Sequence, residues 1–527
     1  MRLPSVMNHQ YGLVPRADIP RSSFNRSHGY KTTFDSGYLI PFYCDEALPG
    51  DTFSLKASLF ARLATPIVPI MDNMFLETFF FAVPLRLIWS NFKKFCGEQR
   101  NPSDSTDYLV PIATTPAGGA VAGSLADYLG IPINVANLQH SSLYYRAYNT
   151  IWNEWFRDQN LQDSVYSPID DGPDTYANYQ VLRRNKRPDY FTTCLPWPQK
   201  GDAVSIPLGT SAPVRGIGFD GTLGAAPQTR TLREYQGYMS GPKPTVGTAV
   251  TNIFLGTDGT SASTSNPNIY ADLTTASAQT INALRQAFQI QKLLERNARG
   301  GTRYTEILQN HFGVISPDAR LQRPEYLGGS STRINISTVA QTSPTSGANA
   351  LGDLAAFGVA ADTTPGWTKS FTEHCIIIGL VNVRADLNYQ QGLSRKFSRR
   401  SRYDFYWPAL ANIGEQAVLN KEIYATATAT DDQVFGYQER WAEYRNFPNQ
   451  ITGKLRSTYS APLDYWHLAQ KFTSLPGLNS TFIQDNPPIA RAIAVPSEPQ
   501  FVFDSYINLI CARPMPTYSV PGLIDHF

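Results

Sequence analysis

Residues 371–389 constrain the fold more than any other part of the chain, because apolar and polar residues alternate there over a long stretch. The apolar set is Val381, Val383, Ala385, Leu387 and Tyr389, and the polar set between them is Asn382, Arg384, Asp386 and Asn388. This period of two indicates a β-strand with one apolar and one polar face. Residues 375–378 are apolar throughout, which predicts a strand covered by two layers. Gly379 lies where the two patterns meet, and we expect a β-bulge there.

A cationic loop follows this strand directly. Its charged residues are Arg395, Lys396, Arg399, Arg400 and Arg402, flanked by Phe397 and Tyr403. Guanidinium groups beside aromatic rings can hold single-stranded nucleic acid by phosphate contact and base stacking. A second basic cluster contains Arg183, Arg184, Lys186 and Arg187. We interpret both clusters as candidates for nucleic-acid contact; the alternatives are a solvated face or salt bridges to neighbouring subunits.

The composition indicates surfaces that become buried against other copies. The 527 residues are 42% hydrophobic and 12% aromatic, but only 17% are charged, against about 25% in typical proteins. Few charges and many Tyr and Phe residues are typical of subunit interfaces. A large secreted β protein is the alternative on composition alone. The net charge of +2 identifies no partner.

The cysteines and the N-terminus indicate where the protein is made. The five cysteines are far apart and include no C-x-x-C pair, so we expect buried free thiols and a reducing compartment. The first residues have no apolar core of the signal-peptide kind. No stretch approaches the ~20 uninterrupted apolar residues that span a bilayer. We therefore expect a soluble protein of cytosolic origin with no membrane insertion.

Residues 1–30 are expected to form an N-terminal arm, because prolines and arginines alternate there without periodicity. Its cations Arg16, Arg21 and Arg26 are further DNA-contact candidates. Such an arm is either disordered or ordered only against a partner.

Strand patterns at both ends of the chain predict a mainly β fold. Phe34, Tyr38, Ile40 and Phe42 share one face of a first strand, and the even-spaced apolar residues of 53–63 share one face of a second. Residues 74–83 form a third strand, buried on both sides. Phe501, Phe503, Ile507, Leu509 and Cys511 share a face of the last strand. Short strands and tight turns favour an antiparallel sandwich or barrel. Because first and last strands belong to one core, we expect a single Greek-key domain over 31–527 with long insertions.

Helices and one long insertion interrupt these strands. Residues 141–158 carry an aromatic stripe at helical spacing, which we interpret as packing on a sheet and not as a binding face. Further helices are predicted at 277–299 and 304–312. Residues 209–275 are rich in Gly, Ser and Thr and form a surface insertion. Its anchors are Phe219, Leu223, Tyr235, Tyr238 and Phe254. Because this insertion has no charge cluster, we expect it to project outward.

Motifs for catalysis, cofactors and metals do not emerge from the sequence. Residues 216–221 fit G-x-G-x-x-G, but no strand precedes them and no helix follows, so we interpret the match as chance. Asp170, Asp171 and Asp174 could ligate calcium, although a solvated turn explains them better. We therefore expect a protein that is not an enzyme and has no cofactor.

Several longer motifs resemble one family closely. They are Arg-Ser-Ser-Phe at 21–24, Phe-Phe-Phe-Ala-Val-Pro-Leu-Arg-Leu at 79–87, Tyr-Gln-Gln-Gly at 389–392, Arg-Tyr-Asp-Phe-Tyr-Trp-Pro-Ala-Leu at 402–410 and Gly-Glu-Gln-Ala-Val-Leu-Asn-Lys-Glu at 414–422. Together they resemble the major capsid proteins of gokushoviruses, single-stranded DNA phages of the microvirus family. The resemblance covers nearly the whole chain and weakens only across 209–275.

The resemblance implies an eight-stranded antiparallel jelly roll of the viral capsid type, with sixty copies in a T=1 shell around a circular single-stranded DNA genome. It also implies that the large insertion rises at the three-fold axes and meets a host-cell surface receptor. The partners that it implies are a small basic DNA-binding protein, an internal scaffolding protein and a pilot protein. The copy number comes from the resemblance alone.

Two functions from other classes stay open at this point. One is a carbohydrate-binding or carbohydrate-cleaving β-sandwich, since sequence cannot exclude a pair of facing carboxylates. The other is a plain single-stranded DNA binder, which should carry far more positive charge than +2.

Overall fold

Antiparallel strands form most of the regular structure in the computed structural model, which describes residues 20–201, 214–215, 270–271, 281–314, 323–342 and 351–518. Two units are distinguished and are described separately. Unit 1 comprises Met1–Pro198, Arg303–Gln309 and Gly313–Phe527, and unit 2 comprises Gln199–Thr302 and Asn310–Phe312.

The strands of the described residues are β1 (Ser22–Asn25), β2 (His28–Phe34), β3 (Ile40–Ala47), β4 (Thr52–Leu63), β5 (Met74–Pro84), β6 (Ile112–Thr114), β7 (Gln139–Ser141), β8 (Val214–Arg215), β9 (Tyr270–Ala271), β10 (Glu325–Arg333), β11 (Asn335–Ala340), β12 (Leu354–Asp362), β13 (Gly366–Ser370), β14 (Cys375–Ala385), β15 (Glu415–Leu419), β16 (Val434–Glu439) and β17 (Phe501–Arg513). The α-helices are α1 (Leu85–Ile88), α2 (Phe92–Phe95), α3 (Leu125–Tyr128), α4 (Leu143–Ile151), α5 (Ile281–Gly300), α6 (Tyr304–Ile307), α7 (Asn420–Ile423), α8 (Ala442–Arg445) and α9 (Ser480–Ile483). Short 3₁₀ and π segments occur between them.

Two antiparallel sheets of unit 1 pack face to face. The first sheet has four strands, in the spatial order β10-β5-β14-β3. The second has seven strands. Five of them lie in the spatial order β1-β17-β4-β12-β11, while β2 pairs with β17 and β13 pairs with β4. Phe42 on β3 joins the layers, because its ring lies 5.5 Å from Phe80 on β5 and 5.7 Å from Phe503 on β17. The predicted mainly β, antiparallel fold is confirmed, and it is consistent with a jelly roll. The expected count of eight strands is not confirmed.

The alternating strands follow the sequence pattern closely. On β4, residues Phe53, Leu55, Ala57, Leu59, Ala61 and Leu63 are all buried, and the residues between them are more exposed. The predicted face of β17 is buried in the same way. Strand β5 is largely buried on both faces, as expected. Strands from both ends of the chain therefore share one core, since β1 and β2 pair with β17.

The first predicted strand was wrong, because it joined two strands of different sheets. Strand β2 ends at Phe34 and β3 begins at Ile40. Gly37 turns the chain between them with a φ of +80°, and a Cβ there would lie 2.2 Å from the carbonyl oxygen of Asp485. Only glycine fits this backbone and this close approach. Within the expected arm, Ser22–Asn25 forms β1; residues 1–19 lie outside the described part.

Strand β14 is buried along its whole length. The predicted bulge is confirmed, since the pairing with β3 shifts register between Gly379 and Leu380. A Cβ on Gly379 would lie 2.9 Å from both Phe80 and Tyr43, so the close packing excludes a side chain. The strand ends at Ala385 and not at Tyr389. Its polar residues Asn382 and Arg384 are buried as well, because other parts of unit 1 cover that face.

The aromatic helix packs as predicted. Helix α4 is followed by a π segment, Trp152–Phe156. Tyr145, Tyr148 and Ile151 are buried in one cluster with residues of β5 and β14. The Tyr148 hydroxyl donates a hydrogen bond of 2.8 Å to the Leu39 carbonyl. The stripe therefore packs the helix onto the four-stranded sheet.

Unit 2 contains helix α5, close to its predicted bounds, and the short antiparallel pair β8–β9. It extends over Gln199–Thr302, which is wider than the predicted insertion at 209–275. The predicted anchors Phe219, Leu223, Tyr235, Tyr238 and Phe254 lie outside the described residues, as does the G-x-G-x-x-G match.

The five cysteines are free thiols. Cys194, Cys375 and Cys511 are buried, but Cys96 is exposed, so the expectation that all are buried was wrong. Among the described helices, none combines the length and the apolar character needed to cross a bilayer.

Candidate nucleic-acid interface

The basic loop after β14 is held in place by short turns and a carboxylate. Arg395–Phe397, Arg402–Asp404 and Pro408–Leu410 are single 3₁₀ turns. The Asp404 carboxylate accepts hydrogen bonds from the backbone N–H groups of Ser401 (2.7 Å) and Arg400 (2.9 Å). These bonds lower the pKa of Asp404, so the carboxylate stays ionised at neutral pH. The loop is therefore ordered by capping and not by long secondary structure.

Two of the predicted DNA-contact residues point into the protein. Arg395 forms an ion pair with Glu422 at 2.9 Å and donates to the Ala417 carbonyl at 2.8 Å. Arg399 lies 3.7 Å from Glu443. Burial raises the pKa of Glu422, and the neighbouring Arg395 opposes that shift. These arginines neutralise internal carboxylates, so less of their charge is available to an external phosphate.

The other cations of the loop are exposed beside aromatic rings. Lys396, Arg400 and Arg402 are exposed, and within the described ranges none of them is ion-paired to a carboxylate. We define the aromatic–cationic surface by its exposed members, which are Lys396, Phe397, Arg400, Arg402, Tyr403, Phe405, Tyr406, Trp407, Tyr444 and Phe447. Phe397 is 69% exposed and Phe447 is 73% exposed, an unusual placement for large apolar rings.

Cations of this loop lie over the rings. The Lys396 ammonium is 5.0 Å from the centre of the Phe397 ring and 5.1 Å from that of Phe447. The Arg402 guanidinium lies 4.7 Å from the Tyr403 ring. Such pairs hold charge and ring together, so one nucleotide could contact both through its phosphate and its base. A cavity of about 450 Å³, lined by Lys396, Phe397 and Phe447 among others, lies at this surface.

Sequence reasoning missed Tyr444, which lies in α8, and Phe447, which follows that helix. The rings belong to this surface because they lie beside Lys396 and Arg399 in the fold. These contacts join segments about fifty residues apart in the chain, so no local pattern reveals them. Their one sequence signal is the aromatic density of residues 441–447, where three of seven residues are aromatic.

Three of the four cations in the first basic cluster bind partners inside unit 1. Arg183 lies 4.0 Å above the Tyr38 ring and donates to the Asp485 carbonyl at 3.0 Å. Arg184 is ion-paired with Glu77. Lys186 is buried and donates to the Gln470 side chain at 3.0 Å; its burial lowers its pKa to about 8. Arg187 alone of the four is exposed.

The two described arm cations differ in the same respect: Arg26 has an internal carboxylate partner, whereas Arg21 is exposed. Arg26 donates two hydrogen bonds, of 2.6 Å and 2.8 Å, to the Asp45 carboxylate. Arg21 is exposed and donates to the Thr52 hydroxyl at 2.5 Å. Arg16 lies outside the described residues. DNA contact by the loop, the first cluster or the arm stays a prediction.

The three aspartates considered for calcium have protein partners. Asp174 is buried and accepts hydrogen bonds from Arg146 at 2.5 Å and 2.7 Å. Asp171 accepts from the Trp89 indole N–H at 2.6 Å. Asp170 lies 3.2 Å from Arg146. Asp174 is therefore part of a buried ion pair and not of a solvated turn, and within the described residues no group of acidic, His or Cys side chains fits a metal.

Comparison with known proteins gives one consistent result. The family model for the capsid protein (F protein) of phages matches residues 12–523. The chain is 47% identical to the capsid protein VP1 of Bdellovibrio phage phiMH2K over 100% of both chains. It is 45% identical to VP1 of Chlamydia phage 1, over 99% of both chains. It is 38% identical to VP1 of Spiroplasma virus 4, over 98% of this chain and 97% of the relative.

Proposed function

This chain belongs to the phage capsid protein (F protein) family, and on that premise we propose that sixty copies of it form a T=1 icosahedral shell around a circular single-stranded DNA genome. As a capsid protein of microvirus-type phages, it has a structural role in the virion. The observation that carries the proposal is the family match across residues 12–523. We further propose that it has no catalytic activity and is made in the cytoplasm of a host bacterium.

Exposed apolar side chains of unit 1 support assembly with other copies. Met71 is 68% exposed, Leu109 is 85% exposed and Phe447 is 73% exposed within one chain. Exposed apolar surface is a usual mark of protein contact sites. An isolated subunit should therefore be poorly soluble or oligomeric. Sedimentation at high protein concentration tests this, and a stable monodisperse monomer would count against the shell.

The aromatic–cationic surface is the part of the described structure that best suits contact with the genome. It combines unpaired cations with exposed rings, the two elements of single-strand recognition. The proposed contacts are Lys396, Phe397, Arg400 and Arg402. Arg187 and Arg21 are secondary candidates because they are exposed. Arg184, Lys186 and Arg26 bind internal partners and are the weakest candidates.

The charge of the chain supports a separate basic partner. Sixty copies with a net charge of +2 each carry 120 net positive charges, whereas single-stranded DNA carries one negative charge per nucleotide. We propose that counterions and a small basic DNA-binding protein neutralise most of the genome. An internal scaffolding protein and a pilot protein complete the proposed set of viral partners. Particles that contain DNA but no small basic protein would contradict this division.

The insertion at 209–275 is proposed to project outward and to contact a host-cell receptor. Its support is its sequence, which has no cluster of positive charge that would suit a DNA-facing loop. Replacing it with a short Gly-Ser linker should leave shell assembly intact and abolish adsorption to cells. If the shells no longer close, the insertion is a structural clamp instead.

Ultraviolet crosslinking of assembled particles tests the proposed DNA contact. The variant Lys396→Gln/Arg400→Gln/Arg402→Gln should lose crosslinks between the loop and DNA while its shells still form. The matched control Lys56→Gln/Arg62→Gln/Lys471→Gln also removes three exposed positive charges and should keep those crosslinks. Equal crosslinking in both variants would remove the loop from the genome interface.

A further inference from the structure

A second cationic site lies far along the chain from the basic loop. After β5 the chain enters α1 and α2, and residues 86–108 enclose a groove with a volume of about 630 Å³. Its lining contains four cations, Arg86, Lys93, Lys94 and Arg100, and two carboxylates, Glu98 and Asp104, which leaves a formal charge of +2. Three hydroxyl groups, on Ser90, Ser105 and Tyr108, complete the polar lining. No sequence motif distinguishes this region, because its four cations are spread over fifteen residues.

The cations of the groove have little to neutralise them. Lys93, Lys94 and Arg100 are exposed, and no carboxylate of the described chain forms an ion pair with them. Arg86 is paired with Glu373, from its Nε at 2.7 Å and from one terminal nitrogen at 3.2 Å. Its other terminal nitrogen has no such bond to Glu373, so it keeps donors for a ligand. With Glu98 and Asp104 in the lining and Glu373 paired to Arg86, the four cations exceed the nearby carboxylates by one. An added anion would therefore be attracted to the groove.

One of the two carboxylates is already committed to the backbone. Asp104 accepts hydrogen bonds from the N–H groups of Arg100 (3.0 Å) and Asn101 (3.1 Å). These bonds lower the pKa of Asp104. This carboxylate shapes the loop that carries Arg100, so it sets the position of one cation and does not pair with its side chain.

The chemistry of the groove suits phosphate oxygens and not bases. Lysine and arginine donors with hydroxyl groups are typical phosphate ligands. Single-strand binding sites also need free aromatic faces for stacking. Tyr108 is the aromatic residue of the lining, and the Lys94 ammonium lies 5.6 Å over its ring. The groove therefore differs from the aromatic–cationic surface, where several rings are exposed.

We propose that this groove binds a compact, multiply charged phosphate ligand, namely inorganic polyphosphate or the polyphosphate group of a small molecule. The volume lies within the range of small-molecule sites, roughly 300–1,000 Å³. Lys93, Lys94 and Arg100 would contact the phosphates, and Arg86 would orient one of them from its pair with Glu373. Such a ligand would bind the folded chain and not the unfolded chain, so it would stabilise the capsid protein.

Calorimetric titration of the full-length protein with inorganic tripolyphosphate tests this proposal at constant ionic strength. Wild type should show one saturable site per chain. The variant Lys93→Gln/Lys94→Gln/Arg100→Gln should bind at least tenfold more weakly. The control Lys56→Gln/Arg62→Gln/Lys471→Gln removes three exposed positive charges outside both proposed sites and should bind as wild type does. Circular dichroism of each variant verifies that it is folded.

Three further ligands test whether the groove is specific for polyphosphate. Sulfate should fail to displace tripolyphosphate at equal ionic strength; equal displacement would show a general charge effect and overturn the proposal. If the Lys93→Gln/Lys94→Gln/Arg100→Gln variant binds a thymidine oligonucleotide more weakly than wild type does, the groove binds the nucleic-acid backbone and the proposal is wrong. If that variant binds vesicles of anionic phospholipid more weakly than wild type does, the groove binds a membrane surface and the proposal is wrong. Because the crosslinking test of the genome contact uses other residues, either proposal can fail alone.

Discussion

Arg384 on β14 donates a hydrogen bond of 2.6 Å from its Nε to the Glu77 carboxylate on β5, inside the four-stranded sheet. The side chains are only 4% and 8% exposed. Arg184 forms a second ion pair with the same carboxylate, so two guanidinium groups share one buried acid. The polar face that the sequence indicated is thus an internal charge network.

Breaking this network should destabilise the fold strongly. Arg384→Met removes one cation and leaves the Glu77 charge buried with less compensation, which should lower the free energy of unfolding by about 3 kcal/mol. Chemical denaturation of the full-length chain measures this. Arg62→Met, at an exposed position of β4, should change stability little. An Arg384→Met variant as stable as this control would show that the pair contributes nothing.

The network illustrates what sequence could and could not predict. Local alternation correctly predicted β4 and β17, because a period of two reflects the two faces of one strand. An apolar stretch buried on both sides correctly predicted β5. The burial of Asn382 and Arg384 depends on partners far away in sequence, since Asn382 bonds to the Tyr38 carbonyl and Arg384 to Glu77. No local pattern contains that information.

The same limit explains what the sequence missed at the candidate nucleic-acid interface. The density of charge correctly marked residues 395–403 as unusual, but it could not show that Arg395 turns inward to Glu422 while Lys396 stays exposed. Tyr444 and Phe447 are distant from the loop in sequence, and only the fold places them beside it. The merging of β2 with β3 arose because the turn at Gly37 is specified by a contact with Asp485.

Asp485 should make stability depend on pH. Burial raises its pKa to about 6, although Lys186, Arg184, Arg384 and Arg183 oppose the shift. Its ordinary value is 3.8, so the folded state holds the proton more tightly than the unfolded state does. The stability that this group contributes to the fold is therefore lost as the pH rises from about 4 to about 6. Asp485→Asn has no such ionisation. Its stability relative to wild type should therefore increase across that window, by roughly 3 kcal/mol for two pKa units.

Thermal unfolding at several pH values measures this difference. Asp504→Asn, which removes an exposed ion pair with Lys31, is the control and should show no comparable trend. A constant difference between Asp485→Asn and wild type from pH 4 to pH 6 would contradict a proton on Asp485.

Gly379 should tolerate no side chain. A Cβ there would lie 2.9 Å from Phe80 and from Tyr43, both part of the buried core. Gly379→Ala should cost about 1–3 kcal/mol through overpacking. Gly118→Ala is the matched control, because a Cβ at Gly118 meets nothing within 4 Å. Equal denaturation midpoints for the two variants would mean that the bulge relaxes freely.

The exposed rings and the exposed cations should affect DNA binding differently. Phe397→Ala removes a stacking ring and should weaken binding of oligothymidine by about 1–3 kcal/mol without changing its salt dependence. Lys396→Gln/Arg400→Gln/Arg402→Gln should instead reduce the slope of log K against log salt by about 2, since each phosphate contact contributes roughly 0.7. Fluorescence anisotropy at several salt concentrations distinguishes these effects. Identical salt slopes for the cation variant and wild type would exclude phosphate contact by this loop.

Electron microscopy of the purified full-length protein, expressed with its proposed scaffolding partner, tests whether the protein assembles into a closed shell. We expect closed shells of one uniform size, and their reconstruction should show icosahedral symmetry with sixty copies of the two-sheet sandwich. A preparation that contains only monomers or open, irregular aggregates under these conditions would contradict a self-assembling T=1 shell.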